Sequence, residues 1–322
     1  MNSEANGRRD NVPLGIVVIV LTVFAMASAD AVIKYVSATF TLWQIYVVRS
    51  LIVMPMIMAL MTLGPRQAFA ARAIFGWPFL RGLMLAFMYV AIYAAMPVLS
   101  LATIAASLYT APLFIAVLSP LLMGEKVGLW RWAAVVLGFL GVLTILRPGA
   151  DSFSLLALIP VVAAVLYALA AIVTRTKCAT APPAVLALAL NLALLLVGVL
   201  ATAFLAIWHP GGSRTSHYPF LFGHWTAMGL REYGIIAILA CLMVAISLGL
   251  AKAYQSAPPS VIATFDYSYL LFSVFWGFIL FGDVPDVPAV AGMLMIAAAG
   301  LVVIRQQGQP RGRSFQPGSQ VP

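Results

Sequence analysis

Three charged side chains stand out inside long apolar runs of this chain: Asp30, Arg49 and Asp266. If those runs lie in a bilayer, each charge costs at least about 2.5–3.5 kcal/mol, so it must face the protein interior or a wet cavity and find a partner there. Asp30 falls a few residues before the end of its run, and Arg49 lies at a compatible depth in the next, so the two could meet. Such a pair would either staple two helices together or offer its charges to a solute or a proton. Lys34, one helical turn beyond Asp30, is a competing partner on the same face. Asp266 lies near the middle of its run with no base adjacent in sequence. Its neighbours Phe265, Tyr267, Ser268 and Tyr269 supply ring faces and hydroxyls suited to gripping an organic ligand. The alternative is that Asp266 pairs with Arg49 and locks two halves of the chain together. Both readings place it on a central axis.

The runs that carry these residues define the class of protein. Hydrophobic residues make up 63% of the chain and charged residues 8%, with mean hydropathy +1.05, whereas soluble domains carry about 25% charged residues. A membrane-crossing helix takes about 20 apolar residues. The apolar runs predict spans at 13–34, 42–63, 75–96, 100–122 and 129–147, then at 154–174, 184–208, 232–253, 257–281 and 287–304. Proline and glycine punctuate the joins, as at Gly64-Pro65, Pro97, Pro148-Gly149, Pro182-Pro183 and Pro258-Pro259. The runs are continuous rather than alternating, which favours helices over a membrane barrel. The expected fold is therefore an all-α polytopic membrane protein of ten transmembrane helices.

The chain also says much the same thing twice. Residues 95–147, shifted forward by 158 positions, fall on residues 253–305 without a gap. Ile104-Ala105 meets Ile262-Ala263, Tyr109 meets Tyr267, Leu113-Phe114 meets Leu271-Phe272, and Gly124-Glu125 meets Gly282-Asp283. With five spans in each half, the copies enter the bilayer from opposite sides and form two inverted five-helix repeats. The expected division is a short segment 1–12, a first repeat 13–147, a connector 148–153, a second repeat 154–305 and a disordered tail 306–322. Tyr109, the repeat mate of Tyr267, is expected on the opposite wall of the cavity from the Asp266 cluster.

Basic residues set the expected orientation. Arg8, Arg9, Arg66, Arg72, Arg81, Lys126, Arg131, Arg175, Lys177, Lys252, Arg305, Arg311 and Arg313 fall on one side, against Lys34, Arg147, Arg214 and Arg231 on the other. The positive-inside rule then puts both termini in the cytoplasm. The formal charge of +9 is on this reading topology rather than a nucleic-acid footprint. Arg8-Arg9, the run that follows and Ala27-Ser28-Ala29 mimic a cleavable signal peptide, but removing that segment would leave the first half with four spans. Glu125 and Asp283, at the ends of their spans, are expected to be caps or gate contacts. Cys178 and Cys241 offer no disulfide framework, and His209, His217 and His224 in the long outer loop lack metal-ligand spacing. No metal or cofactor is expected. Trp43, Trp77, Trp130, Trp132, Trp208 and Trp225 fit an interfacial belt.

Arg49 after an aromatic-rich start of span 2, Gly124-Glu125-Lys126 after span 4 and Phe281-Gly282-Asp283 after span 9 resemble the drug/metabolite transporter superfamily, specifically its EamA-type carriers. The resemblance runs from about residue 13 to 305. Asp30-Ala31-Val32-Ile33-Lys34-Tyr35, Arg49, Arg131-Trp132, Gly138 to Gly141 and Phe281 to Asp286 look most like the branch that holds S-adenosylmethionine uptake carriers. Asp266 departs from that branch, which puts its cargo in doubt. The resemblance implies alternating access through a central cavity in a bacterial inner membrane. An amino-acid-like or S-adenosylmethionine-like solute would stack among Tyr109, Phe265, Tyr267 and Tyr269 and meet Asp266, with Arg49 free for a carboxylate if Asp30 releases it. Relatives in that family include exporters of amino acids and drugs, so the direction stays open. Proton coupling is an expectation motivated by the carboxylate at membrane depth. An intramembrane enzyme is disfavoured, since no span offers His with Asp, Cys with His, or paired carboxylates one turn apart. A channel or scaffold is the remaining rival, and oligomeric state stays open.

Overall fold

The computed structural model describes residues 11–63, 71–111, 113–114, 117–118, 129–146, 155–178, 181–208, 215, 218–256, 265 and 268–307. Among these the chain is helical and has no strand. The principal helices are α1 (Val12–Val36), α2 (Leu42–Leu63), α3 (Trp77–Ala95), α4 (Leu101–Leu108), α5 (Leu129–Leu146), α6 (Ile159–Lys177), α7 (Pro183–Trp208), α8 (Leu230–Ser256), α9 (Ser268–Phe281) and α10 (Val287–Gln307). Five of them, Val12–Val36, Leu42–Thr62, Trp77–Ala95, Pro183–Trp208 and Leu230–Leu250, contain stretches long and apolar enough to cross a membrane. Together with shorter apolar helices at Ile159–Thr174, Ser268–Phe281 and Val287–Ala299, they make this a multi-pass membrane protein. Large apolar side chains such as Leu21, Leu200, Phe204 and Leu294 remain on its outer surface, where lipid replaces water as the solvent.

Helix ends follow local chemistry. Asn11 caps α1 by accepting the Leu14 N–H at 3.1 Å, and its own N–H donates to the Ser256 carbonyl at the end of α8. Pro13 occupies the first turn of α1, where a missing N–H costs nothing. The α4 helix is interrupted at Tyr109, inside the predicted span, with residues 111, 113–114 and 117–118 helical again beyond the break, where Thr110 Oγ1 donates to the Ser107 carbonyl at 2.6 Å. The same carbonyl accepts the Thr110 N–H at 3.2 Å, so backbone and hydroxyl together satisfy it at the break, the condition for interrupting a helix inside a membrane. Helix α10 runs to Gln307, two residues into the segment expected to be tail.

Packing is specific. Helix α1 packs on α8 and α9, α2 on α7 and α8, α3 on α6 and α7, α4 on α6 and α9, and α5 on α10. Exchanging each helix of the first five with the one five places later turns this set of neighbours into itself. Small residues permit the closest crossings. A Cβ on Gly141 would lie 2.8 Å from the Gly292 carbonyl oxygen, and one on Gly82 would lie 2.7 Å from that of Ala189. The small-residue faces at Gly141 and Gly292 thus meet within one chain.

One ion pair ties the beginning of the chain to its end. Lys34 Nζ lies 2.9 Å from Asp283 Oδ2, donates to the Leu99 carbonyl at 3.1 Å and sits 4.5 Å from the centroid of the Phe281 ring. Gly282 makes this possible by turning into the left-handed region at φ 67°. Lys34 is therefore not the partner of Asp30, because α9 brings it a carboxylate that sequence proximity could not reveal. On the same face the α7–α8 loop folds back onto α2. Gln44 and Thr226 exchange hydrogen bonds of 2.7 and 3.1 Å, and Trp43 Nε1 donates to the Leu221 carbonyl at 2.8 Å. The belt residue Trp43 thus also holds a loop.

Replacing Lys34 or Asp283 by Ala is expected to cost about 1 kcal/mol of stability, with the exchanged pair Lys34→Asp/Asp283→Lys recovering part of it. Thermal unfolding of the four proteins in detergent measures the coupling.

Candidate substrate cavity

A cavity of about 140 Å³ lies inside the bundle. Its walls come from α1 (Met26, Ala29, Asp30), α2 (Arg49), α3 (Met88, Tyr89, Ile92, Tyr93), the α4 region (Leu108, Tyr109, Ala111), α6 (Tyr167), α8 (Leu239, Met243, Ile246, Leu250) and α9 (Tyr269). The positions on α8 recur at helical spacing, so one stripe of that helix forms an apolar floor. A cavity of about 150 Å³ is known to admit benzene, so this state has room for a single ring.

Asp30 and Arg49 both line the cavity but form no ion pair with each other. Instead both carboxylate oxygens of Asp30 accept from phenols, Oδ1 from Tyr93 at 3.3 Å and Oδ2 from Tyr269 at 2.5 Å. The phenols are themselves held by rings. Tyr93 stacks on Tyr89 with centroids 5.5 Å apart at 26°, and Tyr269 stacks on Tyr109 at 5.4 Å and 28°. Of the two readings of Asp30 with Arg49, the static staple between α1 and α2 is absent, and Asp30 instead joins α1, α3 and α9.

Arg49 is 3% exposed. Its guanidinium stands 5.7 Å from the Tyr46 ring centroid, and Nε and Nη2 have no hydrogen-bond partner. A buried charged donor without an acceptor carries its full desolvation cost. These two nitrogens form one edge of the guanidinium, the edge that meets a carboxylate or a paired acceptor side-on.

Of the residues singled out from sequence, Asp30, Arg49, Tyr109 and Tyr269 come together around this cavity. Tyr109 stacks against Tyr269 rather than facing its cluster across the space. Phe265 is 37% exposed and is not among the lining residues. Asp266 and Tyr267 lie outside the described residues, as do Glu125, Arg147, His209, His217 and Pro258-Pro259. A proline described inside a helix is Pro55, in α2 beyond Arg49. Tyr89, Tyr93 and Tyr167 were not anticipated. The first two carried a signal, being two tyrosines one turn apart in an apolar span. Asn191, a polar residue inside the apolar run of α7, turns its Nδ2 back to the Ala187 carbonyl of its own helix at 2.9 Å. Among the described residues no cluster of His, Cys, Asp or Glu could hold a metal.

A multi-helix membrane bundle with a charged, tyrosine-rich cavity defines the class of membrane transport proteins. Residues 13–147 match the model of the EamA-like transporter family. The chain is 31% identical over 288 residues to a riboflavin transporter of Vibrio cholerae, covering 87% of each chain. It is 25% identical over 295 residues to a pseudopaline exporter of Pseudomonas aeruginosa, covering 90% of this chain and 96% of the relative. A Rickettsia bellii S-adenosylmethionine uptake transporter is 24% identical over 225 residues, covering 70% and 71%. The protein belongs to the EamA-like transporter family, within the drug/metabolite transporter superfamily.

Because Arg49 is buried with two unpartnered nitrogens, Arg49→Met is expected to leave the melting temperature unchanged or raise it. Tyr269→Phe, which strips a donor from Asp30, is expected to lower stability by about 1–2 kcal/mol. Thermal scanning in detergent compares the two.

Proposed function

We propose that this protein is a secondary carrier of a small organic solute, working by alternating access in a bacterial inner membrane with both termini in the cytoplasm. The observation that carries the reading is Arg49, whose Nε and Nη2 lack an acceptor, among the residues lining a cavity otherwise made of tyrosines, apolar side chains and the phenol-held Asp30. Such a site fits a flat ring that bears an acceptor edge, the ring stacking on phenol faces and the edge meeting Arg49. A flavin has both features, and the riboflavin transporter relative makes it the first solute to test. Amino-acid-like and S-adenosylmethionine-like solutes, the expectation from sequence, also bring a carboxylate to Arg49.

The packing partners that survive exchange of αn with αn+5 support a reading as two five-helix repeats that rock against each other. The cavity in this state admits one ring, so a fused-ring solute requires the bundle to open. The tie from Lys34 to Asp283 and Leu99 lies one helical turn beyond Asp30 and closes one end of that path. Export is the second reading, favoured by the pseudopaline exporter relative. Proton coupling through a carboxylate at membrane depth completes the proposal, with Asp30 and Asp266 as the groups to test.

Counterflow into proteoliposomes of radiolabelled riboflavin, S-adenosylmethionine and aromatic amino acids is expected to be saturable for one member of the panel. Arg49→Gln is expected to lower it about tenfold or more, as loss of a charged bidentate contact implies. A panel with no saturable member, or an Arg49→Gln variant equal to wild type, contradicts the assignment. Transport indifferent to an imposed pH gradient removes the proton and leaves the carrier.

A further inference from the structure

We infer that the phenols of Tyr93 and Tyr269 set the charge preference of the cavity: they occupy both oxygens of Asp30 and leave Arg49 to meet the solute, so flat organic anions and acceptor-edged rings are taken over organic cations. The inference rests on the cavity being the solute site, as proposed above. Among the described lining residues Asp30 and Arg49 are the charged ones, so formal charge alone favours neither sign. What distinguishes them is saturation. Each oxygen of Asp30 already accepts a hydroxyl, whereas Arg49 Nε and Nη2 have none to donate to.

The two hydroxyls are not free to swing aside. Tyr93 is stacked on Tyr89 and Tyr269 on Tyr109, and each stack joins its donor to a second residue of the cavity wall. A cation approaching Asp30 must displace these donors and also enters the field of Arg49. An anion approaching Arg49 displaces no protein group and supplies the acceptors that burial has withheld. Charge selection therefore resides in two hydroxyl groups rather than in the rings that carry them. Removing the hydroxyls while keeping the rings returns Asp30 to the cavity as a counter-ion.

The test uses two single-ring probes of similar size and opposite charge, benzoate and benzylammonium, with binding measured by equilibrium dialysis against protein in lipid nanodiscs and empty nanodiscs subtracted. Wild type is expected to prefer the carboxylate by about tenfold, the scale of one charge-assisted bidentate contact. Tyr93→Phe/Tyr269→Phe is expected to bring the ratio to within about threefold or invert it, and Arg49→Gln to lose the carboxylate. Gel filtration and melting confirm that the phenylalanine variant is folded. If the double variant does not fold, Tyr93→Phe alone, which removes the longer of the two bonds, is expected to gain ammonium binding about threefold. An unchanged ratio in a folded variant, or a wild type that prefers the ammonium, overturns the inference and leaves the cavity as the solute site. A wild type that binds neither probe overturns that site reading and the inference with it.

Discussion

Asp30 cannot be left facing lipid, and the way its charge is accommodated orders the helices around it. Its two oxygens take hydrogen bonds from Tyr93 on α3 and Tyr269 on α9, so one buried anion joins elements from distant parts of the chain. One turn later Lys34 repeats the connection, reaching the carbonyl of Leu99 beyond α3 and the carboxylate of Asp283 beyond α9. Two polar layers on α1 thus hold the same neighbours. In a medium that supplies no competing water, each layer is satisfied by the protein or not at all.

Arg49 is the counterweight to this arrangement. The same bundle that saturates its carboxylate leaves a guanidinium edge unsatisfied at 3% exposure. A fold optimised only for stability would fill that position with an apolar side chain. Arg49 lines the cavity together with the stacked tyrosine pairs, and its Nε and Nη2 find no acceptor among the protein groups around them. An unmade pair of hydrogen bonds held at one place, while the neighbouring Asp30 is fully matched, is the local inconsistency on which the proposed binding role rests.

The surrounding helices divide their work. Helix α8 contributes an apolar stripe and α3 two tyrosines beside Met88 and Ile92, while α5 and α10 pack against each other through Gly141 and Gly292, with none of their described residues among those lining the cavity. The pairings exchange among themselves when each of the first five helices is swapped with its counterpart five places on. That exchange symmetry of neighbours is what the proposed two-repeat reading rests on.

Membrane class, helical state and most helix limits were legible in the sequence, because a 20-residue apolar run has one stable form in lipid and proline or glycine marks its ends. Leu42–Leu63, Leu129–Leu146 and Pro183–Trp208 lie within a residue of the predicted spans. The interior charges were legible too, since cost alone singles out Asp30 and Arg49. Partners were not. Sequence distance suggested Lys34 or Arg49 for Asp30, while the fold supplied two tyrosines, one of them 239 residues away, and gave Lys34 to Asp283, 249 residues away. Composition and local periodicity determine what each residue costs in the bilayer and hence which must turn inward. Which inward-facing groups then meet depends on helix rotation and crossing, set by close contacts such as Gly82 on Ala189, and only the tertiary structure decides it.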